Sequence, residues 1–246
     1  MGEVVGRVAG LFRYPVKSMG AEALDAVDVS WHGLAGDRRW AFIRDGMTRS
    51  AFPWLTIRQR PTMWRYVPRL IEPERPDASP AVVRSPSGTV LDVADPALAA
   101  ELGTSVPMLK CGRGVFDTFP LSLLSLQSVA GLGGLVGAEL EPARFRPNLL
   151  IDAVGGAAFP EDAWVGHGLR IGGLRMRVDK RDKRCVMVNV DPLTGRRDPA
   201  VLRAIARQRQ VCFGVYGSVV APGQVAVGDL VVLDRRPGRA TRRAPR

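Results

Sequence analysis

Cysteine is scarce in this chain of 246 residues: three thiols, Cys111, Cys185 and Cys212, with no Cys-x-x-Cys pair among them. Three thiols cannot all pair with one another, and without close spacing they make neither a disulfide framework nor a zinc knuckle. Lysine is confined to positions 17, 110, 180 and 183, so arginine carries most of the positive charge. No stretch approaches eighteen uninterrupted apolar residues, and the start, Met-Gly-Glu-Val-Val, has no basic segment ahead of an apolar core. A membrane span and a secretory leader are therefore not expected, and a cytoplasmic protein is. Acidic residues are missing from 235–246, which holds six arginines in a Pro/Arg/Ala-rich sequence. That segment accounts for more than half of the formal charge of +11 and is expected to be a disordered basic tail. The body is only mildly basic, and such a balance gathered near one pocket suits an anionic small ligand as well as it suits RNA; no nucleic-acid partner is expected.

What is present is the make-up of a soluble globular protein, 46% hydrophobic and 24% charged. Alternating segments at 3–12 and 23–29, and short apolar runs near 54–58, 64–71, 81–84 and 89–93, are separated by Pro, Gly and Ser. Asp45-Gly46 reads as a two-residue hairpin turn. Further strands are expected at 149–151, 168–178, 184–190, 211–215 and 230–233. Helices are expected at 95–102 and 198–207, each with an Asp cap and Pro at the first position, and at 122–130, ended by Gly131, Gly133 and Gly134. Many short strands and few short helices predict a mostly β (α+β) protein, a barrel or a sandwich and not a parallel α/β sheet. The change of character near 95–120 divides it into regions 1–105 and 106–234, followed by the 235–246 tail.

One stretch concentrates chemistry: Lys183-Arg184-Cys185-Val186-Met187-Val188-Asn189-Val190-Asp191-Pro192-Leu193-Thr194-Gly195. Read as a strand, it puts Val186, Val188 and Val190 on a core face and Cys185 on the other, next to cations that favour the thiolate. A lone cysteine among valines is more often a small buried hydrophobe. Other polar clusters stand at turns. Lys17-Ser18, beside Gly20, suits a phosphate. Asp37-Arg38-Arg39-Trp40 places two arginines at a strand mouth, which also fits a solvated edge, and Asp117-Thr118-Phe119-Pro120 fits a helix cap. Arg146 precedes Pro147 and is expected to be extended, sharing a face with Asn148. That pair can read an anionic heteroaromatic ligand, or Arg146 can pair with Glu139 or Glu141.

In order along the chain, Tyr14-Pro15-Val16-Lys17-Ser18, Gly36-Asp37-Arg38, Phe145-Arg146-Pro147-Asn148, Arg184-Cys185, Val190-Asp191-Pro192-Leu193-Thr194-Gly195 and Gly223-Gln224-Val225-Ala226-Val227-Gly228-Asp229-Leu230-Val231 resemble the motifs of MOSC-domain proteins. The likeness covers about 3–234 and points to the group that includes the mitochondrial amidoxime-reducing component, with an N-terminal MOSC β-barrel region ahead of the MOSC domain. It implies a molybdenum cofactor, a pterin dithiolene with a terminal phosphate, bound in a cleft between the two regions. By that resemblance Cys185 is the metal ligand and catalytic residue, and Lys17, Ser18, Arg38, Thr118, Arg146, Asn148 and Arg184 contact the cofactor. The implied activity is reduction of small N-oxygenated compounds, with electrons from a separate ferredoxin, flavoprotein or cytochrome-type donor. A sulfur-carrying protein using Cys185, and a non-catalytic cofactor carrier, are the alternatives. Two positions depart from the family pattern: Lys183, where a small residue is usual, and Asn189, where threonine is common.

Overall fold

The structure is a computed structural model that describes residues 2–105 and 108–234. The tail 235–246, and Val106 and Pro107 at the expected regional boundary, lie outside the described residues. The architecture is mostly β, as expected. Its centre is a seven-stranded closed barrel. Strand Leu149–Ala153 pairs with Leu121–Ser125, which continues through Cys212–Ala221, Leu174–Lys183, Gly168–Ile171 and Leu230–Asp234 to Glu3–Arg13. The last strand pairs back onto Leu149–Ala153, with Val8 opposite Ile151 and Leu11 opposite Leu149, and so leaves the ring without an open edge. A bulge between Val8 and Gly10 breaks the two-residue period, which is why Val8 and Leu11, three apart, are both buried in the barrel core.

Hydrogen bonding therefore crosses the sequence boundary near 105. Ala26–Ser30 likewise pairs with Gly223–Ala226, with Val27 opposite Val225. A second core forms around the sheet Val67–Leu70, Ala81–Arg84 and Val90–Asp92 and the short helix Pro96–Glu101, where Asp95 caps the helix by accepting from the Ala97 amide at 2.8 Å. A third joins helices Leu126–Val136 and Pro199–Arg209 over Phe145 and Phe213, whose ring centroids are 4.4 Å apart.

Three stretches depart from the local expectation. Residues 122–130 are not one helix: Leu121–Ser125 is a barrel strand buried at every position, and the helix starts after Ser125, whose hydroxyl caps the Ser128 amide at 3.0 Å. Gly131 does not end that helix but lets it approach the next segment, since a Cβ there would sit 2.9 Å from that of Ala158. Gly137, at φ 76°, ends it. Asp45-Gly46 forms no tight hairpin, because Ile43 pairs with Trp54 and the Asp45 carboxylate is held by Thr104 and Ser105 across the loop. For the same reason 54–58 contributes one bridge and not a strand.

The third correction concerns the cysteine stretch. Strand pairing ends at Lys183 opposite Cys212. Cys185 is extended and leads a 3-10 turn, Val186–Asn189, in which the Val188 amide donates to the Cys185 carbonyl at 3.2 Å. A period of three replaces a period of two. Val186 is consequently 58% exposed while Val188 is 3% exposed. Arg144 holds the turn from below, donating to the Val188 carbonyl at 3.1 Å and pairing with Asp191 at 2.7 Å.

Candidate functional site

The first loop packs against the Gly36-Asp37-Arg38 turn through backbone bonds, Arg38 amide to Tyr14 carbonyl at 2.7 Å and Lys17 amide to Trp40 carbonyl at 2.8 Å. Asp37, fully buried, joins the pieces: its carboxylate accepts from the Tyr14 amide at 2.7 Å and the Asn148 side-chain amide at 3.1 Å, and pairs with Arg38. The Tyr14 ring has the guanidinium of Arg38 4.7 Å from its centroid and that of Arg146 at 4.2 Å. Burial pushes the Tyr14 phenol up to about 12, so at neutral pH it is a neutral donor, bonded to the Pro147 carbonyl at 3.1 Å.

Arg146 is not extended. It sits at φ 53°, ψ 48°, which turns its side chain toward the first loop, where it donates to the Met19 carbonyl at 2.6 Å and not to Glu139 or Glu141. Burial draws its guanidinium down to about 10, still charged at neutral pH. Ser18 at φ 70° and Arg38 at φ 51° share this left-handed backbone, which L-residues adopt at a cost of order 1–3 kcal/mol. Three of the seven expected cofactor contacts are thus strained, a pattern typical of ligand clamps.

Lys17 is buried and donates to Asp117 at 2.5 Å and the Val115 carbonyl at 3.0 Å. Burial lowers its pKa, opposed by Asp117. For Asp117, burial pushes upward but the Lys17 charge and hydrogen bond, with Arg58 and Arg38, hold the carboxyl below its usual range. Asp117 is therefore an ion-pair partner, not a helix cap.

On the opposite wall Arg184 is tied to the Phe213 carbonyl at 2.7 Å and the Phe145 carbonyl at 2.8 Å, with Asp182 2.9 Å away. Asp182 is 2% exposed; burial raises its carboxyl against the pull of Arg184, and its Oδ2 has no aligned hydrogen bond among the described residues. The half-buried Cys185 thiol is approached by Arg58, whose Nη2 lies 3.6 Å from Sγ.

These groups surround one cavity of about 570 Å³. Lys17, Ser18, Arg38, Thr118, Arg146, Asn148, Arg184 and Cys185 all line it, although they come from separate segments spread over 17–185. Sequence reasoning missed Tyr14 and Asp37 as parts of the site framework, and Arg58 and Asp182 as lining residues. Tyr14 and Asp37 lay within motifs already singled out. Arg58 carried no signal, since one arginine in an arginine-rich loop is indistinguishable from its neighbours.

The donor set bears on any metal held here. No group of three or more His, Cys, Asp or Glu side chains able to hold a metal occurs among the described residues. A metal beside Cys185 would draw on one thiolate, with no His and no second Cys among the described residues lining the cavity, and must bring other ligands with it, as a metal carried by an organic cofactor does. The rest of the cavity fits such a group: seven cationic side chains against two carboxylates line it, with Ser18 and Thr118 beside them.

A closed β-barrel bearing a cation-lined cavity with one thiol at its rim defines the class. The chain belongs to the MOSC-domain proteins: the MOSC domain matches residues 113–232 and the MOSC N-terminal beta barrel domain matches 5–93. It is similar to mitochondrial amidoxime-reducing component 1 of Homo sapiens, 32% identical over 48% of this chain and 37% of that protein. It is also similar to molybdenum cofactor sulfurase of Caenorhabditis briggsae, 24% identical over 91% of this chain and 35% of that protein. The chain thus spans little more than a third of the length of these curated relatives. Among solved structures, the YuaD protein of Bacillus subtilis shares the fold, with a TM-score of 0.53 at 13% identity over 95% of this chain and 98% of that one. No helix among the described residues is long and apolar enough to cross a membrane.

Proposed function

We propose that this protein binds a molybdenum cofactor in the 570 Å³ cavity and reduces small N-oxygenated compounds, receiving electrons from a separate redox protein. The observation that carries the reading is convergence: eight residues picked out by family motifs line one cavity, with the Cys185 thiol at its edge. In this scheme Cys185 is the protein's ligand to the metal. Lys17, Ser18, Arg38, Thr118, Arg146, Asn148 and Arg184 hold the cofactor's charged and polar groups. When bound, the cofactor supplies the two electrons that, with two protons, convert an N-hydroxyl group to N–H and release water.

The chain's own contribution is rigidity and charge. Asp37 fixes Arg38, Asn148 and the Tyr14 backbone in one network, so the ligand meets donors already oriented. Arg144 fixes the turn that presents Cys185. A sulfur-handling role for Cys185 is the second reading, favoured by the sulfurase likeness over 91% of the chain.

Elemental and pterin analysis of purified wild type and Cys185→Ser, followed by reduction of benzamidoxime with an artificial electron donor, tests both. The expected outcome is near-stoichiometric molybdenum in wild type, benzamidoxime reduction, and loss of most activity in Cys185→Ser, with pterin retained by the cationic wall. Absence of metal and pterin from wild type, together with a persulfide on Cys185, would favour the sulfur carrier.

A further inference from the structure

Four of the guanidinium groups lining the cavity already have protein partners, and three of them, Arg38, Arg146 and Arg184, also serve the cofactor in the reading above. Arg38 is paired with Asp37, Arg144 with Asp191, Arg146 with the Met19 carbonyl, and Arg184 with two carbonyls and Asp182. Lys17 is likewise taken up by Asp117 and the Val115 carbonyl. Two cations remain. Arg58 reaches the cavity from the N-terminal region and spends one nitrogen on the Cys185 sulfur, leaving the rest of its fork without a protein acceptor among the described residues. Lys183, two positions before Cys185, lines the same cavity and is exposed, with no protein acceptor among the described residues. The carboxylate whose charge acts on Arg58, Asp117, is already paired with Lys17.

We propose that Arg58 and Lys183 form an anion clamp at the mouth of the cavity, and that the substrates this protein prefers are N-oxygenated compounds carrying a carboxylate or phosphate. The inference rests on the reductase reading above and deepens it by naming the substrate class. A guanidinium fork beside the Cys185 sulfur and an ammonium lining the same cavity are the donors an anionic group takes in charge-assisted hydrogen bonds. Phe52, 36% exposed on the same rim, gives the ring of such a substrate an apolar surface. The clamp spans both regions of the chain, so an anionic substrate would be held within the cavity that carries the thiol.

The experiment uses the full chain purified with its cofactor and two matched pairs of probes. Benzamidoxime and 4-carboxybenzamidoxime differ by one para carboxylate. Benzamide and 4-carbamoylbenzoate differ in the same way and contain no N–O bond, so calorimetry reads their binding without turnover. The expected result is a preference of about five- to tenfold for the anionic member of each pair at low ionic strength. That preference falls to near unity in the Arg58→Gln/Lys183→Gln double variant, and in wild type at about 0.5 M salt. Equal handling of neutral and anionic probes by wild type, or a preference that survives the double substitution, overturns the clamp. If neither amidoxime is reduced while the calorimetric preference follows the two side chains, the reductase reading fails and the anion specificity stands. Both positions are exposed, so the variants are expected to melt with wild type.

Discussion

Asp37 ties together three segments far apart in sequence, and the site's rigidity depends on it. Its carboxylate meets a backbone amide, a side-chain amide and a guanidinium, all inside the fold. Truncation to alanine would leave the part-buried Arg38 without its counter-charge and two donors unmet, a change that destabilises by about 3 kcal/mol. Asp37→Ala is expected to show that loss in urea unfolding, whereas Asp37→Asn, which keeps the shape, loses less. Asp117 gives the pH dependence at this scale. Its folded pKa lies below its ordinary value near 3.8, so the unfolded chain binds the proton more readily. The stabilisation is fully present above that ordinary value and is lost as pH falls through the lowered folded value. Half exposure screens the pair and keeps the effect modest. Stability measured from pH 6 down to pH 2 should therefore fall less steeply in Asp117→Asn than in wild type.

At the scale of elements, the turn that carries Cys185 is set by side-chain hydrogen bonds more than by its own sequence. Alternating Val and non-Val residues favour a strand, yet the neighbouring strand runs out of paired residues at Lys183, and Arg144 and Asn189 offer other partners. Asn189 accepts from the Leu202 amide at 2.9 Å, which fastens the turn to helix Pro199–Arg209. Arg144→Met removes the bond to the Val188 carbonyl and the pair with Asp191 while keeping the side chain's bulk. Hydrogen exchange is expected to speed up across residues 185–195 and to stay unchanged in the barrel strands. Unchanged exchange in that turn would mean that Arg144 does not hold it. The helix Leu126–Val136 shows the same dominance of context, because a leucine-rich run at 121–125 is worth more as a strand buried on both faces than as a first helical turn.

For the whole molecule, the barrel is closed by the first strand. Glu3–Arg13 fills the gap between Leu149–Ala153 and Leu230–Asp234, so the two family regions share one sheet. A fragment of residues 108–246 would expose two strand edges and the apolar face that Val8 and Leu11 cover. It is expected to be largely unfolded or aggregated by circular dichroism and size-exclusion chromatography. A monomeric fragment with native-like strand content would show that closure is dispensable.

The dense short strands, the two Asp-Pro helix starts and the motif order are local properties, and from them the sequence alone determined a mostly β protein of the MOSC family. The same motifs named eight residues before any of them had a position. That those eight meet in one cavity was decided by tertiary structure, because barrel closure brings the first loop and the Cys185 turn to the same mouth. Tertiary structure also decided that Cys185 stands on a 3-10 turn, that Arg146 turns left-handed to reach the first loop, and that Arg58 approaches the sulfur. Each of these depends on partners tens to more than a hundred residues away, and such contacts leave no periodicity for a local reading to find.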